Sequence, residues 1–217
     1  MGKNRLIYGV AVNDADYRIN HWEHLGRVNG VQKQRLVWRC PVWSLWRSMV
    51  ERCYSDKYKL KDPNYKDCTS SEDWKYFSKF KTCVDGQEWA GLHLDKDLLV
   101  PNNKIYSADT CHFVTREVNN FIQDFRKSRA MLPPGVCVDR TRGNYFSAEC
   151  HDRWLGRHTN AWDAHMCWLE EKRILARDLA ARQKSELVAN ALIDRYDNFH
   201  AHFGYRLSNW MEASIES

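Results

Sequence analysis

The chain has 217 residues, of which 43% are hydrophobic and 28% are charged, an ordinary balance for a folded protein. Ten Trp and ten Tyr residues exclude wholesale disorder. No apolar run approaches the roughly 18–20 residues of a membrane-spanning helix, and the N-terminus lacks the hydrophobic core of a signal peptide. We therefore expect a cytoplasmic protein that has no membrane partner.

Eight cysteines are scattered through the chain as single residues. No Cys-x-x-Cys pair is present, which argues against a zinc finger or zinc ribbon. A chain of this length without a secretory signal does not need disulfides, and free cysteines are commonly buried. We expect reduced thiols with structural roles.

The net charge of +5 is unevenly distributed along the chain. Residues 1–61 carry a net charge of +7 and residues 126–182 a net charge of +4, whereas residues 62–125 carry −4 and residues 183–217 carry −2. Two basic segments thus flank an acidic one, a pattern that suits a polyanion bound beside a cation site. The alternative is solvated surface charge without a partner.

The hydrophobic residues among the first forty follow no sustained helical or strand period, so no secondary structure is assigned there. Pro41 then opens an amphipathic helix. A basic turn is predicted over 57–61, and a second aromatic helix over 71–82, whose rings are core residues or, alternatively, platforms for stacked bases. The apolar positions of the first helix are Trp43, Trp46, Met49, Val50, Cys53 and Tyr54.

The stretch 92–125 predicts a compact ββα unit. An extended segment and a turn are followed by a second short strand at 111–114 and by a helix that Thr115 caps. Carboxylate and amide oxygens gathered in this way suit a hard divalent cation, although the acidic pair alone could be a solvated turn. The oxygen-bearing residues are Asp95, Asp97, Asn102, Asn103, Asn119 and Asn120.

The run LDKDLL…NNKIYSADTCHFVTREVNNF resembles the HNH homing endonucleases of phages. The upstream segments PVWSLWRSMVERCY, NYKDC and EDW resemble the same proteins, so the similarity spans about Tyr8 to Phe125. It implies a DNA-hydrolysing centre with a divalent metal, Mg²⁺ or alternatively Mn²⁺. The implied roles are the first metal ligand for Asp95, with help from Asp97, the structural loop residue for Asn103, and the helix ligand for Asn119 or else Asn120.

Lys96 is the main departure from that family, because it stands where the general-base His is expected. A lysine accepts a proton only after its pKa falls far below about 10.4, and neighbouring carboxylates act in the opposite direction. His93 alternates with Asp95 and Asp97, so these three side chains are expected on one strand face. The base is then His93 or His112, or strong catalysis has been lost.

The segment from Gly135 onward predicts three short strands and a long helix. In the middle strand, Phe146, Ala148 and Cys150 alternate with polar residues and should pack on the helix. Asn160 is placed to cap that helix, with Asp163 as its capping partner. The inward helix positions are Ala164, Trp168, Leu175 and Leu179.

This segment resembles the Apetala/ethylene-response-factor DNA-binding domain, through Gly135-Val136, Leu155-Gly156 and the helix start at 160–164. In that family the sheet lies in the major groove of double-stranded DNA, while Arg47 and Arg52 of the first helix would here contact phosphates. A small sheet-and-helix domain for protein contacts is the alternative. Candidate DNA contacts are Arg140, Arg142, Tyr145, Ser147, Glu149, His151, Arg153 and Trp154.

These patterns predict an α+β protein with an HNH-like ββα core behind aromatic-rich helices, a three-stranded sheet on a long helix, and a C-terminal helix. The expected domains are 1–126, which includes the ββα unit at about 91–125, then 127–182, and a helical extension at 183–217 that packs or dimerises. The predicted function is a metal-dependent homing endonuclease in the cytoplasm of an infected bacterium. The alternative is a DNA-binding regulator or anti-host factor that kept the nuclease scaffold without its catalysis.

Overall fold

The computed structural model describes residues 6–124, 132–139 and 145–204. Helices and small sheets alternate along these ranges, which confirms the predicted α+β class. An HNH-type core stays a prediction. In the described ranges, no helix combines the length and the apolar character that crossing a membrane would require.

Two compact units make up the chain. The first contains Met1–Lys96 and Asn103–Phe113, and the second contains Asp97–Asn102 and Val114–Ser217. The predicted domain boundaries near residues 126 and 182 stay predictions, and residues 125–131 lie outside the described ranges.

A long β-hairpin occupies the region that the sequence pattern left unassigned. Strand β1 (Asn20–Val28) pairs antiparallel with β2 (Val31–Arg39). Asn29 and Gly30 join them with φ angles of 51° and 77°, the left-handed values that a type I′ hairpin turn requires. Nearly every side chain of the hairpin is exposed, so its strands lack the buried–exposed alternation that identifies a strand in a sequence.

Helix α1 (Pro41–Tyr54) begins at the predicted proline and confirms the predicted helix. Pro at the first turn costs no hydrogen bond, because the N–H group there has no partner within the helix. Trp46 and Cys53 are fully buried, as their spacing indicated. The indole Nε1 of Trp46 donates to the backbone oxygen of Trp74 at 2.8 Å, which satisfies its polar group inside the core.

Two predictions for the following segment are wrong in detail. The basic turn at 57–61 is a helix, α2 (Asp56–Lys61), because the hydroxyl of Ser55 accepts the N–H of Tyr58 and caps it. The aromatic helix does not run from residue 71. A short 3₁₀ turn at Asp73–Lys75 and an extended Tyr76 precede α3 (Phe77–Asp85).

Four short strands complete the first unit. Strands β3 (Thr69–Ser70) and β5 (Ile105–Tyr106) pair in parallel, and β4 (His93–Asp95) pairs with β6 (His112–Val114). The second of these pairs confirms the predicted strand at 111–114. It also brings the segment that carries Asp95 beside the one that carries His112.

The second unit contains the predicted sheet and helix. Strands β7 (Val136–Asp139), β8 (Tyr145–Cys150) and β9 (Arg153–His158) form an antiparallel sheet in that order, packed on α5 (Ala161–Ala181). In β8, Ala148 and Cys150 are buried, whereas Tyr145 and Glu149 are exposed. The alternation in the sequence therefore identified the inner face correctly.

Two contacts fix the ends of this sheet-and-helix module. Asn160 Oδ1 accepts the N–H of Asp163 at 2.8 Å, so the predicted helix cap is confirmed. Gly135 has a φ of 80°, and a Cβ atom built on it would lie 2.0 Å from the ring of Trp168. Only glycine allows the backbone to pass this close to the indole.

The last helix of the chain packs into the same core. Helix α4 (Arg116–Phe121), capped by Thr115 as predicted, also contributes to it, although α4 ends before the predicted residue 125. Helix α6 (Glu186–Asp197) and the helical residues 199–204 bury the complete predicted stripe within the chain. The stripe consists of Val188, Leu192, Tyr196, Phe199 and Phe203.

A buried ion network lies at the centre of the second unit. The carboxylate of Asp124 has no exposed surface, and it contacts Lys172 Nζ at 3.0 Å and Arg195 at 3.2 Å. The hydroxyl of Tyr196 donates to it at 2.9 Å. Burial alone would raise the pKa of Asp124, but the charges of Lys172 and Arg195 outweigh burial and hold that pKa below its ordinary value.

The cysteines are thiols, and most of them are packing residues. All eight lie in the described ranges, and none forms a disulfide. Most of them are buried, which fits the preference of free cysteine for such positions, and the reduced state stays a prediction. The fully buried ones are Cys40, Cys53, Cys68, Cys111 and Cys150.

Candidate functional site

Strand β4 carries the first predicted metal ligand. His93 and Asp95 occupy alternate positions on β4 and therefore share one face of it. Asp97 does not share that face, because the strand ends at Asp95 and residues 96–100 form a bend. The expectation of three side chains on one strand face is thus wrong for Asp97.

Lys96 causes the chain to bend by holding the loop that follows. Its Nζ donates to the backbone oxygen of Asn103 at 2.8 Å. In return, Asn103 Nδ2 donates to the backbone oxygen of Lys96 at 3.0 Å and to that of Ile105 at 2.6 Å. Asn103 Oδ1 accepts the N–H of Ile105 at 2.9 Å. The side chain of Asn103 therefore closes the loop, which is the kind of role that the HNH resemblance implies.

Lys96 is the buried residue of this arrangement, with only 6% of its surface exposed. Its Nζ lies 5.9 Å from the centre of the Tyr106 ring, a distance at which an ammonium group is attracted by the aromatic face. Through its hydrogen bond to the Asn103 carbonyl, Lys96 therefore has a structural role in the loop.

His112 has the better environment for a general base. It is half-buried on β6, and desolvation lowers its pKa below the ordinary value of 6.5. At neutral pH its imidazole is uncharged and has a nitrogen lone pair for a proton. His93, the other candidate, is exposed on β4.

The remaining predicted ligands belong to the second unit, as does Asp97. Asn119 is half-buried and Asn120 is exposed, and both lie in the last turn of α4. Asn102 lies in the second unit too, where its Nδ2 donates to the backbone oxygen of His202 at 2.8 Å. The ligand roles of Asp97, Asn119 and Asn120 stay predictions.

The chemistry of the donors fits a divalent metal of the Mg²⁺ type. The described residues contain no group of three or more His, Cys, Asp and Glu side chains that could hold a metal ion. Mg²⁺ does not need one, since it is commonly held by one or two carboxylates, substrate phosphates and water. Asp95 is half-buried, and its role as a metal ligand stays a prediction.

The outward face of the three-stranded sheet is the surface that the second resemblance assigns to DNA. Cys137, Ser147 and Arg157 lie side by side across its middle. Trp154 pairs with Glu149 near one end, and its side chain is 61% exposed. Ser147 is only 6% exposed, because its small side chain lies between larger neighbours.

Arg157 is oriented by two neighbours on this face. Its Nε and Nη2 contact Asp139 Oδ2 at 2.8 and 2.5 Å, and its guanidinium lies 5.7 Å from the centre of the Tyr145 ring. To present both of these nitrogens to a base, Arg157 would have to give up its contact with Asp139. The described part of the face has one arginine and two carboxylates, those of Asp139 and Glu149. Arg140 and Arg142, the basic residues predicted to contact DNA here, lie outside the described residues.

Two predicted DNA contacts lie away from the outward face. Arg153 pairs across the sheet with the inward-facing Cys150, and its guanidinium donates to Glu171 of α5 at 2.7 Å. The ring of His151 stacks on Phe121 with ring centres 5.6 Å apart. Both side chains would have to give up these contacts in order to reach DNA.

Arg157 is the residue that the sequence pattern missed. A β-bulge between Ala148 and Glu149 on β8 leaves Leu155 of β9 without a partner, so the pairing passes from Gly156 directly to Trp154. Strict alternation would place Trp154 and Arg157 on opposite faces, and the bulge places them on the same one. The sequence did contain one sign of this bulge, because a glycine inside a strand often marks one. That glycine is Gly156, whose φ in the structure is 149°.

The two arginines predicted to contact phosphates from α1 are packed against tyrosines. The guanidinium of Arg47 lies 4.2 Å from the centre of the Tyr8 ring. Arg52 lies 5.7 Å from the ring of Tyr65. A contact with DNA by either arginine stays a prediction, and their present partners are aromatic rings of the first unit.

Comparisons with known proteins add no relative from which a function could be transferred. No protein-family model matches the chain, and neither does any curated protein or any solved structure. The two resemblances therefore depend on the sequence motifs quoted above. Any function assigned to the chain depends on its residues and their geometry.

Proposed function

We propose that this chain binds double-stranded DNA through the outward face of the sheet β7–β9. The observation that carries the proposal is the exposed Trp154 on the same face as Arg157, on a sheet whose other face is packed on α5. An arginine can donate two hydrogen bonds to guanine, and an aromatic ring can pack on sugars and bases. The major groove is wide enough to admit a strand surface of this kind.

The segment around the sheet supports a polyanionic partner. Residues 126–182 carry 11 basic and 7 acidic side chains, and three of those bases lie at 126–129, outside the described ranges. Phosphate contacts from such residues position a protein on DNA, whereas contacts with base edges select the sequence. We assign the first role to this basic segment and the second to Trp154 and Arg157.

We further propose that the first unit hydrolyses phosphodiester bonds at Asp95 and His112. The neutral imidazole of His112 takes a proton from the attacking water, since burial keeps its pKa low enough for this. Asp95 would hold a divalent ion, which when bound would polarise the phosphate and stabilise its developing charge. The hydrogen bonds between Lys96 and Asn103 fix the end of β4 and thereby the position of Asp95.

A plasmid nicking assay tests the catalytic proposal. Supercoiled plasmid is incubated with the full chain in Mg²⁺ or Mn²⁺, with and without EDTA. We expect metal-dependent nicking that Asp95→Asn abolishes. Asp109→Asn makes the same chemical change at an exposed turn residue and should leave nicking intact. DNA binding without nicking in either metal would refute the catalytic proposal and leave the binding proposal standing.

The second candidate function is DNA binding without cleavage, as a regulator or an anti-host factor. Lys96 is the observation that favours it, because this residue replaces the expected catalytic histidine and is occupied with the loop. Under this alternative Asp95→Asn changes neither the affinity for DNA nor the state of the plasmid. The nicking assay therefore separates the two functions directly.

A further inference from the structure

Within the described residues, no further strand pairs with the hairpin β1–β2, and its surface is largely exposed. Two strands alone are marginally stable in water, and this hairpin leaves large apolar side chains uncovered. Trp22 is 51% exposed and Trp38 is 42% exposed, although a sheet normally buries one of its faces. The others exposed are Leu25, Val28, Val31 and Val37.

The charge of the hairpin indicates the kind of partner. Arg27, Lys33, Arg35 and Arg39 lie on it with a single carboxylate, Glu23. That carboxylate already contacts Arg35 at 2.5 Å, in a pair with both side chains largely exposed. The hairpin thus offers a net positive charge, which complements a polyanion better than it complements another copy of itself.

One face of the hairpin carries the groups that read base edges. Arg27 lies opposite Gln32, and His24 lies opposite Gln34, so their side chains project to the same side. His24 Nδ1 is within hydrogen-bond distance of both glutamine amides, at 2.9 and 3.2 Å. Arginine suits guanine and glutamine suits adenine, each through two hydrogen bonds in the major groove.

Trp22, which lies opposite Leu36, continues that face toward the base of the hairpin. The register shift between His21 and Trp22 places His21 and its partner Trp38, whose ring centres are 5.1 Å apart, on the other face. The other face carries Lys33, whose ammonium group suits a phosphate. Strands of nine residues reach roughly 25–30 Å, and two of them side by side match a groove about 12 Å wide.

We propose that the hairpin β1–β2 is a second DNA-reading element, a two-stranded ribbon that enters the major groove with Arg27 and Gln34 toward the bases. This inference rests on the DNA binding proposed above for the sheet. It adds a contact from the first unit, which the sequence pattern did not assign. Two-stranded ribbons are a known means of groove recognition.

The test selects preferred sequences from a pool of random duplex DNA with the full chain. Arg27→Ala combined with Gln34→Ala removes the reading side chains. Lys33→Ala is the matched control, because it removes one positive charge from the other face. All three positions are exposed, so unchanged circular dichroism and melting temperature verify the fold of each variant.

We expect the double variant to bind the selected sequence roughly tenfold or more weakly and to lose preference at several base pairs. Lys33→Ala should weaken binding to every sequence alike and reduce the slope of log affinity against log salt by about 1. A double variant that selects the wild-type sequence with wild-type affinity overturns the inference and leaves the sheet proposal intact.

Two other outcomes also decide the matter. A wild-type chain that binds no DNA defeats the sheet proposal and the hairpin inference together. The double variant could instead keep its DNA preference and change the sedimentation of the chain. That result would assign the hairpin to a protein partner, and it too overturns the inference. Trp154→Ala, measured in parallel, reports on the sheet alone.

Discussion

Lys96 and Asn103 hold each other across the loop, with Lys96 Nζ donating to the Asn103 carbonyl at 2.8 Å and Asn103 Nδ2 donating to the Lys96 carbonyl at 3.0 Å. The residue that departs from the HNH pattern is therefore part of the support for the predicted metal ligand. Replacing Lys96 should therefore disturb the fold of the loop, and any effect on proton transfer would be a consequence of that disturbance.

Lys96→Met tests this structural role. The substitution keeps the length of the stem but leaves the Asn103 carbonyl without its donor, at a cost of about 1–3 kcal/mol in the free energy of unfolding. Urea denaturation of the full chain measures the difference. Lys104→Met is the matched control, since Lys104 also donates to a backbone carbonyl, that of Asn64, but is less buried than Lys96. Equal effects of the two changes would contradict the special role of Lys96.

Arg157 and Arg153 lie four residues apart on β9 but on different sides of the sheet. Arg157→Ala should weaken DNA binding by about 1–3 kcal/mol and relax sequence preference, because it removes a base-reading group. Arg153→Ala removes the same charge from the side of the sheet that packs on α5, where Arg153 contacts Glu171, and should have a smaller effect. Fluorescence anisotropy with duplex DNA measures both affinities. A larger loss with Arg153→Ala would show that the opposite side of the sheet faces DNA.

His112 gives the proposed nuclease a specific dependence on pH. The base must be neutral, so the nicking rate should rise with pH through a pKa below 6.5 and then level off. His112→Asn should reduce the rate about 100- to 10,000-fold without loss of DNA affinity. His93→Asn is the control at the exposed histidine of β4. If His93→Asn removes activity and His112→Asn does not, the base is His93.

Asp124 should be among the most sensitive positions in the chain. Asp124→Asn leaves Lys172 and Arg195 buried without their counter-charge, which costs about 3–5 kcal/mol. Urea denaturation again gives the measurement. Asp178→Asn is the comparison, because it breaks an exposed pair with Arg182 that contributes at most about 1 kcal/mol. Similar costs at the two sites would mean that the network is not effectively buried.

The same residue predicts how stability depends on acid. The pKa of Asp124 is lower in the folded chain than in the unfolded chain, so its contribution is fully present above the unfolded value of about 3.9. That contribution is lost as the pH falls further, through the folded pKa. Asp124→Asn should therefore flatten the loss of stability below about pH 4, as measured by denaturation at several pH values.

The parts of the fold that were predicted correctly are those with one buried face. Helix α1 follows from Pro41 and its apolar spacing, and the sheet and α5 follow from the alternation in β8 and the cap at Asn160. Each of these patterns is local, and burial of one face imposes it on the sequence. The same holds for the stripe of α6.

The parts that were not predicted depend on distant contacts or on the lack of burial. The hairpin has no buried face, so only the Asn29-Gly30 turn could have indicated it. The end of β4 at Asp95 is followed by a bend at residues 96–100, where Lys96 contacts the distant Asn103, and no local pattern announces such a contact. In the candidate site, Asp95 and His112 were both identified, but Arg157 was hidden by a bulge, whose register is a property of paired strands.

The path of the chain through its two units limits how these activities can be separated. Asp97–Asn102 belongs to the second unit although the residues on either side belong to the first. A fragment that began at residue 127 would lack Leu98, which lies in the core of the second unit, and also Asp124. The three-stranded sheet is thus not a transferable cassette. Recombination that exchanged the sheet between proteins would succeed only if the exchanged DNA also encoded the earlier segments that carry Leu98 and Asp124.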